Sequence, residues 1–418
     1  MNLLKTSILN GIAVLIKTAT MFILNKILAV YVGPSGYAAI GQFQNFIQMV
    51  TTFAGTAINN GIIKYTAEYS DNENKQQEVW KTAGSIIIIG SLLFSVFILI
   101  FKKQLALYLF HSTEYQSIFI WFAFFLVFFT FNTFLLGMLN GKKEIVSLVV
   151  ANISGSIFSL MITCFLAIQY GLFGALIALC IYQSLAFFVT LTICYKLEWF
   201  KFKFLFGKIN KKVSYQLAAF ALMAFVSVFF GNISQIILRK LIISEFGLSY
   251  AGYWEAMTRL STGYLMLVST ILGVYYLPKL SELQTYSEIK KEVSNGYKYI
   301  LPLAIIMSVL VYLLKDYVVK IMFTEKFMPM LELMFWQLIG DVIKIGSWIV
   351  SFMMLSKAMT KLFIITEAFF LISIIPLTMI FMSIFGYKGI SIAFAINGLV
   401  YWVVCSVFSF KSLKGIKL

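Results

Sequence analysis

Long apolar stretches separated by short polar connections run through almost the whole chain. A continuous run of roughly 20 apolar residues is what an α-helix needs to cross a bilayer. The pattern therefore predicts twelve transmembrane helices. They fall near residues 7–30, 38–62, 83–101, 117–139, 147–168, 174–195, 215–240, 251–276, 298–314, 332–355, 362–384 and 389–410.

Composition supports an integral membrane protein. The 418 residues are 61% hydrophobic and 12% charged, with a mean hydropathy of +0.90, whereas soluble domains carry about 25% charged residues. The first stretch is not a removable signal sequence, because Lys17 and Lys26 interrupt it and no clear small-residue cleavage site follows. We expect it to remain as a helix.

The lysines and arginines predict the orientation of the chain. With a cytoplasmic N-terminus, 20 of the 33 basic residues fall in connections on the cytoplasmic side and six on the other side. Cytoplasmic loops carry such an excess, so both termini are expected in the cytoplasm. The net charge is +16, and the basic residues are spread over many short loops. This distribution favours interaction with anionic lipid headgroups over binding of nucleic acid.

The two halves of the chain are weakly similar. A shift of 214 residues places Ser35 on Ser249 and Glu68 on Glu282. Repeats of this kind, related by an axis along the membrane normal, enclose a cavity. The predicted fold is all-α, with two six-helix lobes around a central cavity. The predicted parts are an N-lobe at 1–195, a basic cytoplasmic linker at 196–214 and a C-lobe at 215–418.

Charged residues occur inside the predicted helices. Asp341 and Lys344 lie one turn apart near the middle of the tenth stretch, and Glu255 and Arg259 lie one turn apart in the eighth. A charge at the bilayer centre costs from about 3 to more than 10 kcal/mol, so such residues normally face a bundle interior or a hydrated path for a substrate or ion. The alternative is that each pair is a local ion pair on its own helix.

Uncharged polar residues mark the second predicted helix. Their spacing of three and four residues predicts one helical face that lines water, and the alternative is packing and hydrogen bonding between helices. The stripe consists of Gly41, Asn45, Gln48, Thr52, Gly55 and Asn59.

The balance of charge inside the helices predicts the class of substrate. The first six stretches contain Lys17 and Lys26 but no acidic residue, and the seventh adds Arg239 and Lys240. A cavity with this balance attracts anions, whereas an exporter of cationic drugs needs the reverse.

Sites of enzymatic chemistry are missing from the sequence. It has no nucleotide-binding or metal–sugar motif, and its one histidine, His111, falls in a predicted outer loop. The four cysteines lie in apolar stretches without metal-ligand spacing and are expected to pack. We therefore predict no catalytic residues and no metal.

Several segments carry a resemblance to a known family. The chain resembles the Wzx-type flippases of lipid-linked oligosaccharides, which include translocases of O-antigen and of lipid III (enterobacterial common antigen), in the superfamily that contains the MATE multidrug extruders. The segments are NKILAVYVGPSGYAAIGQFQ (25–44), NNGIIKYTAEYSDN (59–72), ILRKL (237–241), YYLPKLSEL (275–283), FWQLIGDVIKIGSW (335–348) and SKAMTKLFIITE (356–367).

The resemblance implies a function. It implies transfer of an undecaprenyl-diphosphate-linked repeat unit from the cytoplasmic to the periplasmic leaflet of a bacterial inner membrane. The nearest alternative is a MATE-type cation antiporter. A polymerase or ligase of the same glycan pathway is a further alternative, although such enzymes usually need a larger outer loop than residues 315–331. No cofactor is implied beyond a coupling H+ or Na+, and an O-antigen polymerase and a chain-length regulator are possible partners. Positions that match charged positions of the family are Lys26, Lys64, Arg239, Lys240, Asp341, Lys344 and Glu367.

The candidate site combines these observations. The predicted cavity residues for the substrate are Lys17, Lys26, Asn45, Gln48, Asn59, Lys64, Arg239, Lys240, Arg259, Gln337 and Lys344. The predicted ion-coupling groups are Asp341, Glu367 and Glu255, the last of which matches no position of the family.

Overall fold

The computed structural model describes residues 3–357 and 359–415, which form helices and short connections without a strand. The α-helices are α1 (Leu3–Tyr31), α2 (Gly33–Phe53), α3 (Asn59–Glu68), α4 (Glu73–Phe110), α5 (Gln116–Gly141), α6 (Ile145–Tyr195), α7 (Lys211–Phe246), α8 (Leu248–Ile271), α9 (Leu277–Glu282), α10 (Tyr286–Leu313), α11 (Lys315–Met322), α12 (Leu331–Ser356), α13 (Thr360–Phe385) and α14 (Gly389–Gly415). Short 3₁₀ turns occupy Thr56–Ile58, Phe202–Phe204, Glu325–Met330 and Gly386–Lys388, and a π-helical turn occupies Leu272–Tyr276.

Each of the twelve predicted spans falls on helix. Eight helical stretches in the described chain are long and apolar enough to cross a membrane, and two of them, Ile145–Tyr195 and Thr360–Leu413, are long enough for two spans each. Two predicted spans are outside this set and belong to α2 and α8. α2 carries the polar stripe, and α8 carries Glu255 and Arg259. The prediction of an all-α, multi-pass membrane protein is therefore confirmed.

The second predicted span is not one continuous helix. α2 ends at Phe53, and Gly55 has a φ of +133° before a short 3₁₀ turn leads into α3 at Asn59. A Cβ on Gly55 would lie 2.8 Å from the side chain of Ile87 on α4, so close packing holds the break in a conformation that only glycine adopts readily. The predicted stripe from Gly41 to Asn59 is wrong as a single helical face and ends with α2.

The chain forms two compact units. The first comprises Met1–Val32 and Ala39–Asn232, and the second comprises Gly33–Ala38 and Ile233–Leu418. In the first unit, side chains from the segment between α6 and α7 join the apolar core of α3, α4 and α5, and Phe204 and Leu205 are among the buried ones. The predicted basic linker is rich in lysine, and its apolar side chains also anchor it to the core of the first unit.

α12 is central to the second unit. It packs against α8, α10 and α14. Gly340 and Gly346 allow α14 to approach, because a Cβ at these positions would lie 2.4 Å from the ring of Phe394 and 2.6 Å from that of Trp402. Small residues serve this purpose in membrane bundles. The helix that carries Asp341 and Lys344 is thereby held in the interior of its unit.

The internal repeat is visible in the backbone. Gly33 (φ +69°) is the first residue of α2, and Gly247 (φ +91°) immediately precedes α8. The two glycines have the same spacing of 214 residues as Ser35 and Ser249. The hydroxyl oxygens of these two serines are 3.2 Å apart. The positions matched from the sequence therefore have matching local structure and touch each other.

A second pair of turns repeats in the same way. Gly171 (φ +55°) divides the two spans of α6, and Gly386 (φ +62°) divides α13 from α14. Three residues later, Gly174 and Gly389 lie so close to the preceding span that a Cβ would overlap a backbone oxygen, at 1.9 and 2.1 Å. The same helical corner is therefore built in both halves.

Candidate functional site

A cluster of three charges, two of them buried, joins α7 to α8 in the second unit. Arg239 donates from Nη2 to Oε2 of Glu255 at 2.6 Å, and Arg259 donates from Nε to Oε1 at 2.8 Å. The side chain of Arg239 is 1% exposed and that of Arg259 is 16% exposed. The predicted local pair of Glu255 and Arg259 is confirmed, but it is part of a triad with one positive charge in excess.

Aromatic rings surround this triad. The guanidinium of Arg239 lies 5.4 Å from the ring centroid of Trp254, and that of Arg259 lies 5.2 Å from the ring centroid of Tyr37. Aromatic faces attract cations most strongly where water is excluded. The rings therefore help to hold an excess of positive charge in the protein interior, a role that the sequence did not assign to them.

Asp341 is held by hydrogen bonds and not by its neighbouring lysine. Asp341 is 1% exposed. Oδ2 accepts from the hydroxyl of Tyr264 on α8 at 2.6 Å, and Oδ1 accepts from Nε2 of Gln337 at 3.2 Å. Gln337, predicted as a substrate contact, thus positions Asp341.

Lys344 has different surroundings. Its Nζ lies 5.1 Å from the ring centroid of Trp348 and 5.8 Å from that of Phe394. Within the described residues no ion pair joins it to Asp341. The alternative of a local Asp341–Lys344 pair is wrong, since a spacing of three residues does not prevent the two side chains from turning to different neighbours. Lys344 itself is half-buried.

A third polar group connects α12, α13 and α14. The hydroxyl of Tyr401 donates to Oε2 of half-buried Glu367 at 2.8 Å and lies 3.2 Å from the hydroxyl oxygen of Ser351. Like Asp341, Glu367 has a phenol as donor and no cation among the ion pairs of the described chain. A carboxylate in this setting is chemically matched to a proton or a small cation, because a buried charge needs compensation.

The predicted residues of the first unit lie on three helices. Lys17 on α1, Gln48 on α2 and Lys64 on α3 are exposed, and Lys26, Asn45 and Asn59 are half-buried. Lys240, which lies on α7 in the second unit, is also half-buried. The Nζ of Lys64 lies 5.2 Å from the rings of both Tyr65 and Phe220.

Two asparagines of the predicted stripe hold unpaired polar atoms. Nδ2 of Asn45 and Oδ1 of Asn59 are buried without a hydrogen-bond partner among the described residues. A buried polar atom without a partner costs about 1–3 kcal/mol. Water or a bound ligand would satisfy both atoms, which agrees with a polar lining.

Two tyrosines that contact predicted site residues were not predicted from the sequence. Tyr264 and Tyr401 each donate a hydrogen bond to a carboxylate inside the membrane. Tyr264 follows Arg259 by five residues, which places the two side chains about 140° apart around the helix, so helical spacing did not mark Tyr264. Only the packing of helices distant in sequence pairs each tyrosine with its acid.

The chain matches one protein family. A family model described as "Polysaccharide biosynthesis protein" matches residues 3–284. Similar proteins include two named "Lipid III flippase", from Escherichia coli K12 and Shigella flexneri. Each is 27% identical over 410 residues, which cover 97% of this chain and 97% of the relative.

Solved structures show the fold. The inward-facing form of a multidrug resistance MATE transporter of the MOP superfamily has a TM-score of 0.81 at 13% identity, with 96% of each chain covered. A MOP superfamily transporter from Pyrococcus furiosus, whose title reports a binding pocket of reversed polarity, has a TM-score of 0.65 at 16% identity, with 97% of this chain and 96% of that one covered. The predicted MATE-like fold is confirmed.

Proposed function

The chain belongs to the family of polysaccharide biosynthesis proteins, and from this premise we propose that it transfers a lipid-linked oligosaccharide across a membrane. The similarity to proteins named lipid III flippase extends over 97% of both chains. Its relatives are flippases and its structural neighbours are transporters, so the prediction of a transporter and not an enzyme is confirmed.

The proposed cargo is a repeat unit, such as that of an O-antigen, on undecaprenyl diphosphate. It would move from the cytoplasmic to the periplasmic leaflet of a bacterial inner membrane, with both termini of the chain in the cytoplasm. A sugar headgroup cannot cross hydrocarbon unaided, and neither can a diphosphate, which carries about two negative charges.

The observation that carries this proposal is the excess positive charge of the Arg239–Glu255–Arg259 triad. One carboxylate faces two guanidiniums, and Arg259 is the more exposed of the two. Guanidinium binds phosphate oxygens in a two-pronged geometry. We therefore assign Arg259 as the first contact of the diphosphate, with Lys344 as a second cation on α12.

Ion coupling is proposed for Asp341 and Glu367. Both are carboxylates held by tyrosine hydroxyls, so H+ or Na+ can bind there and alter the packing around α12. Glu255, the third predicted group, is held by two arginines and is assigned to the anion site instead. Loading and release of the ion would give direction to alternating access.

Substitution of Asp341 by asparagine tests the coupling. The variant keeps the size of the side chain but cannot exchange a proton, so we expect transport in proteoliposomes to lose its dependence on an imposed pH gradient. The control is Glu332→Gln, which changes an exposed carboxylate on the same helix. Unchanged transport with an unchanged pH response in Asp341→Asn would remove Asp341 from the mechanism.

Deletion of the gene tests the function in cells. We expect lipid-linked repeat units to accumulate on the cytoplasmic leaflet and to disappear on complementation. A polymerase and a chain-length regulator would then act on the product as partners. If the deletion instead left the repeat units in place and sensitised cells to cationic drugs, the alternative of a cation antiporter would be correct.

A further inference from the structure

A cavity of about 270 Å³ lies in the first unit, and none of its lining residues belongs to α8 or α12. It is formed by the first turns of α4, the end of α5 and the segment that follows α6. The lysine pattern predicts this side to be cytoplasmic. Its lining includes Glu73, Gln76, Trp80, Lys142, Glu198 and Trp199.

Two tryptophan rings form an aromatic wall of the cavity. The ring centroids of Trp80 and Trp199 are 5.3 Å apart, at an interplanar angle of 48°. Nε1 of Trp80 donates to Oγ1 of Thr66 at 2.9 Å, and Nε1 of Trp199 donates to Oε1 of Glu144 at 3.3 Å. Both rings are therefore fixed by the protein and not by a ligand.

Lys142 is placed beside both rings. Its Nζ lies 5.6 Å from the ring centroid of Trp80 and 5.5 Å from that of Trp199. Cation–π attraction holds an ammonium in this position, and it leaves the N–H groups of Lys142 as donors at the cavity. The aromatic wall thus has a donor at its edge.

Gln76 supplies an acceptor that lacks a donor. The residue is 1% exposed, and its Nε2 donates to the backbone oxygen of Thr66 at 2.6 Å, which fixes the side-chain amide. Its Oε1 is buried without a hydrogen-bond partner in the described part of the chain. Leaving such an acceptor unpaired costs about 1–3 kcal/mol. The cavity therefore calls for a ligand with an O–H or N–H donor.

Charge narrows the class of ligand. The carboxylates of Glu73 and Glu198 balance the ammoniums of Lys142 and Lys201 around the cavity. A free phosphate would be repelled by both carboxylates and by the acceptor oxygen of Gln76. A simple cation would be repelled by the two lysines. A neutral ring with many hydroxyls is repelled by neither set of charges, since its hydroxyls can both donate and accept hydrogen bonds.

We propose that this cavity binds one pyranose ring of an uncharged sugar. The apolar face of the ring would lie on Trp199, one hydroxyl would donate to Oε1 of Gln76, and Lys142 would donate to another. Pockets that bind small molecules combine apolar walls with a few fixed polar groups in this way. A role in capturing the headgroup before translocation rests on the proposed function, whereas binding of the sugar does not.

The test is titration of the full-length protein in phospholipid nanodiscs, because glycoside detergents themselves carry sugars. The probes are glucose, N-acetylglucosamine and inorganic phosphate, and binding is followed by calorimetry and by saturation-transfer NMR. We expect the neutral sugars to bind and phosphate to produce no signal.

Variants connect the signal to the cavity. Trp199→Leu and Gln76→Met are expected to weaken sugar binding about tenfold, equivalent to about 1.4 kcal/mol. The control is Trp121→Leu, which removes an exposed tryptophan on α5 and should bind like the native protein. Thermal unfolding of each variant verifies folding, and half-buried Trp199 tests the site even if Gln76→Met is unstable.

Several results would overturn the inference. They are no binding of either sugar, equal weakening by Trp199→Leu and Trp121→Leu, or binding of phosphate in place of sugars. Sugar binding by a protein that moves no lipid-linked oligosaccharide would defeat the proposed function and leave the pocket. Transport of the lipid-linked oligosaccharide without any sugar binding would support the proposed function and exclude the sugar pocket.

Discussion

Replacement of Glu255 by glutamine is expected to reduce the free energy of unfolding by about 3–5 kcal/mol, because removal of one member of a buried ion network leaves the remaining charge uncompensated. Arg239 is 1% exposed and pairs with Glu255 at 2.6 Å, so it has no access to bulk water. Unfolding of the purified protein in mixed micelles, followed by circular dichroism against denaturing detergent, measures the change.

A matched variant separates this effect from a general loss of charge. Glu245→Gln removes an exposed carboxylate from α7, the helix that carries Arg239, and is expected to change the free energy of unfolding by less than about 0.5 kcal/mol. Equal stability of the two variants would mean that Glu255 does not hold the two arginines together.

Replacement of Arg259 by glutamine is expected to reduce transport about 10- to 100-fold, since hydrogen bonds to charged groups contribute about 1.5–3 kcal/mol each. Its side chain is 16% exposed, against 1% for Arg239, so it is the guanidinium of the triad that a diphosphate can reach. Arg259→Lys should retain part of the activity, because lysine keeps the charge but loses the two-pronged geometry.

The control for Arg259 is a cation outside the triad. Lys298 is exposed on α10 and lies beside Tyr299, so Lys298→Gln should transport at the native rate. Initial rates in proteoliposomes, normalised to the amount of folded protein, provide the comparison. Native transport by Arg259→Gln, or an equal loss in both variants, would exclude Arg259 as the diphosphate contact.

The architecture was predictable because the bilayer leaves few choices. A chain inside hydrocarbon must satisfy its own backbone groups, so long apolar stretches become helices, and all twelve predicted spans fall on helix. The break at Gly55 was not predictable. Polar residues continue at helical spacing across it, and the contact with Ile87 that fixes it involves a distant part of the chain.

The candidate site was predictable only where it is local. Glu255 and Arg259 are one turn apart, and the structure pairs them at 2.8 Å. The same reasoning failed for Asp341, whose strongest partner, Tyr264, is 77 residues away. A sequence without an alignment shows which residues are costly to bury, but not which helices become neighbours.

The polar residues of the first unit illustrate the remaining gap. Asn45 and Asn59 were selected for their spacing, and the structure leaves a buried polar atom on each without a partner. Their proposed contact with substrate or water depends on a ligand, and no pattern in the chain encodes its shape. The roles of Lys17, Lys26, Lys64 and Lys240 stay predictions for the same reason.

Transfer of a lipid-linked sugar between leaflets is the most direct test of the central claim. The purified protein would be reconstituted into liposomes with an undecaprenyl-diphosphate-linked oligosaccharide, and an impermeant lectin would report how much sugar reaches the outer leaflet over time. We predict transfer that requires the protein and falls in Arg259→Gln. Transfer no faster than in protein-free liposomes, with the protein ejecting a cationic dye instead, would contradict it.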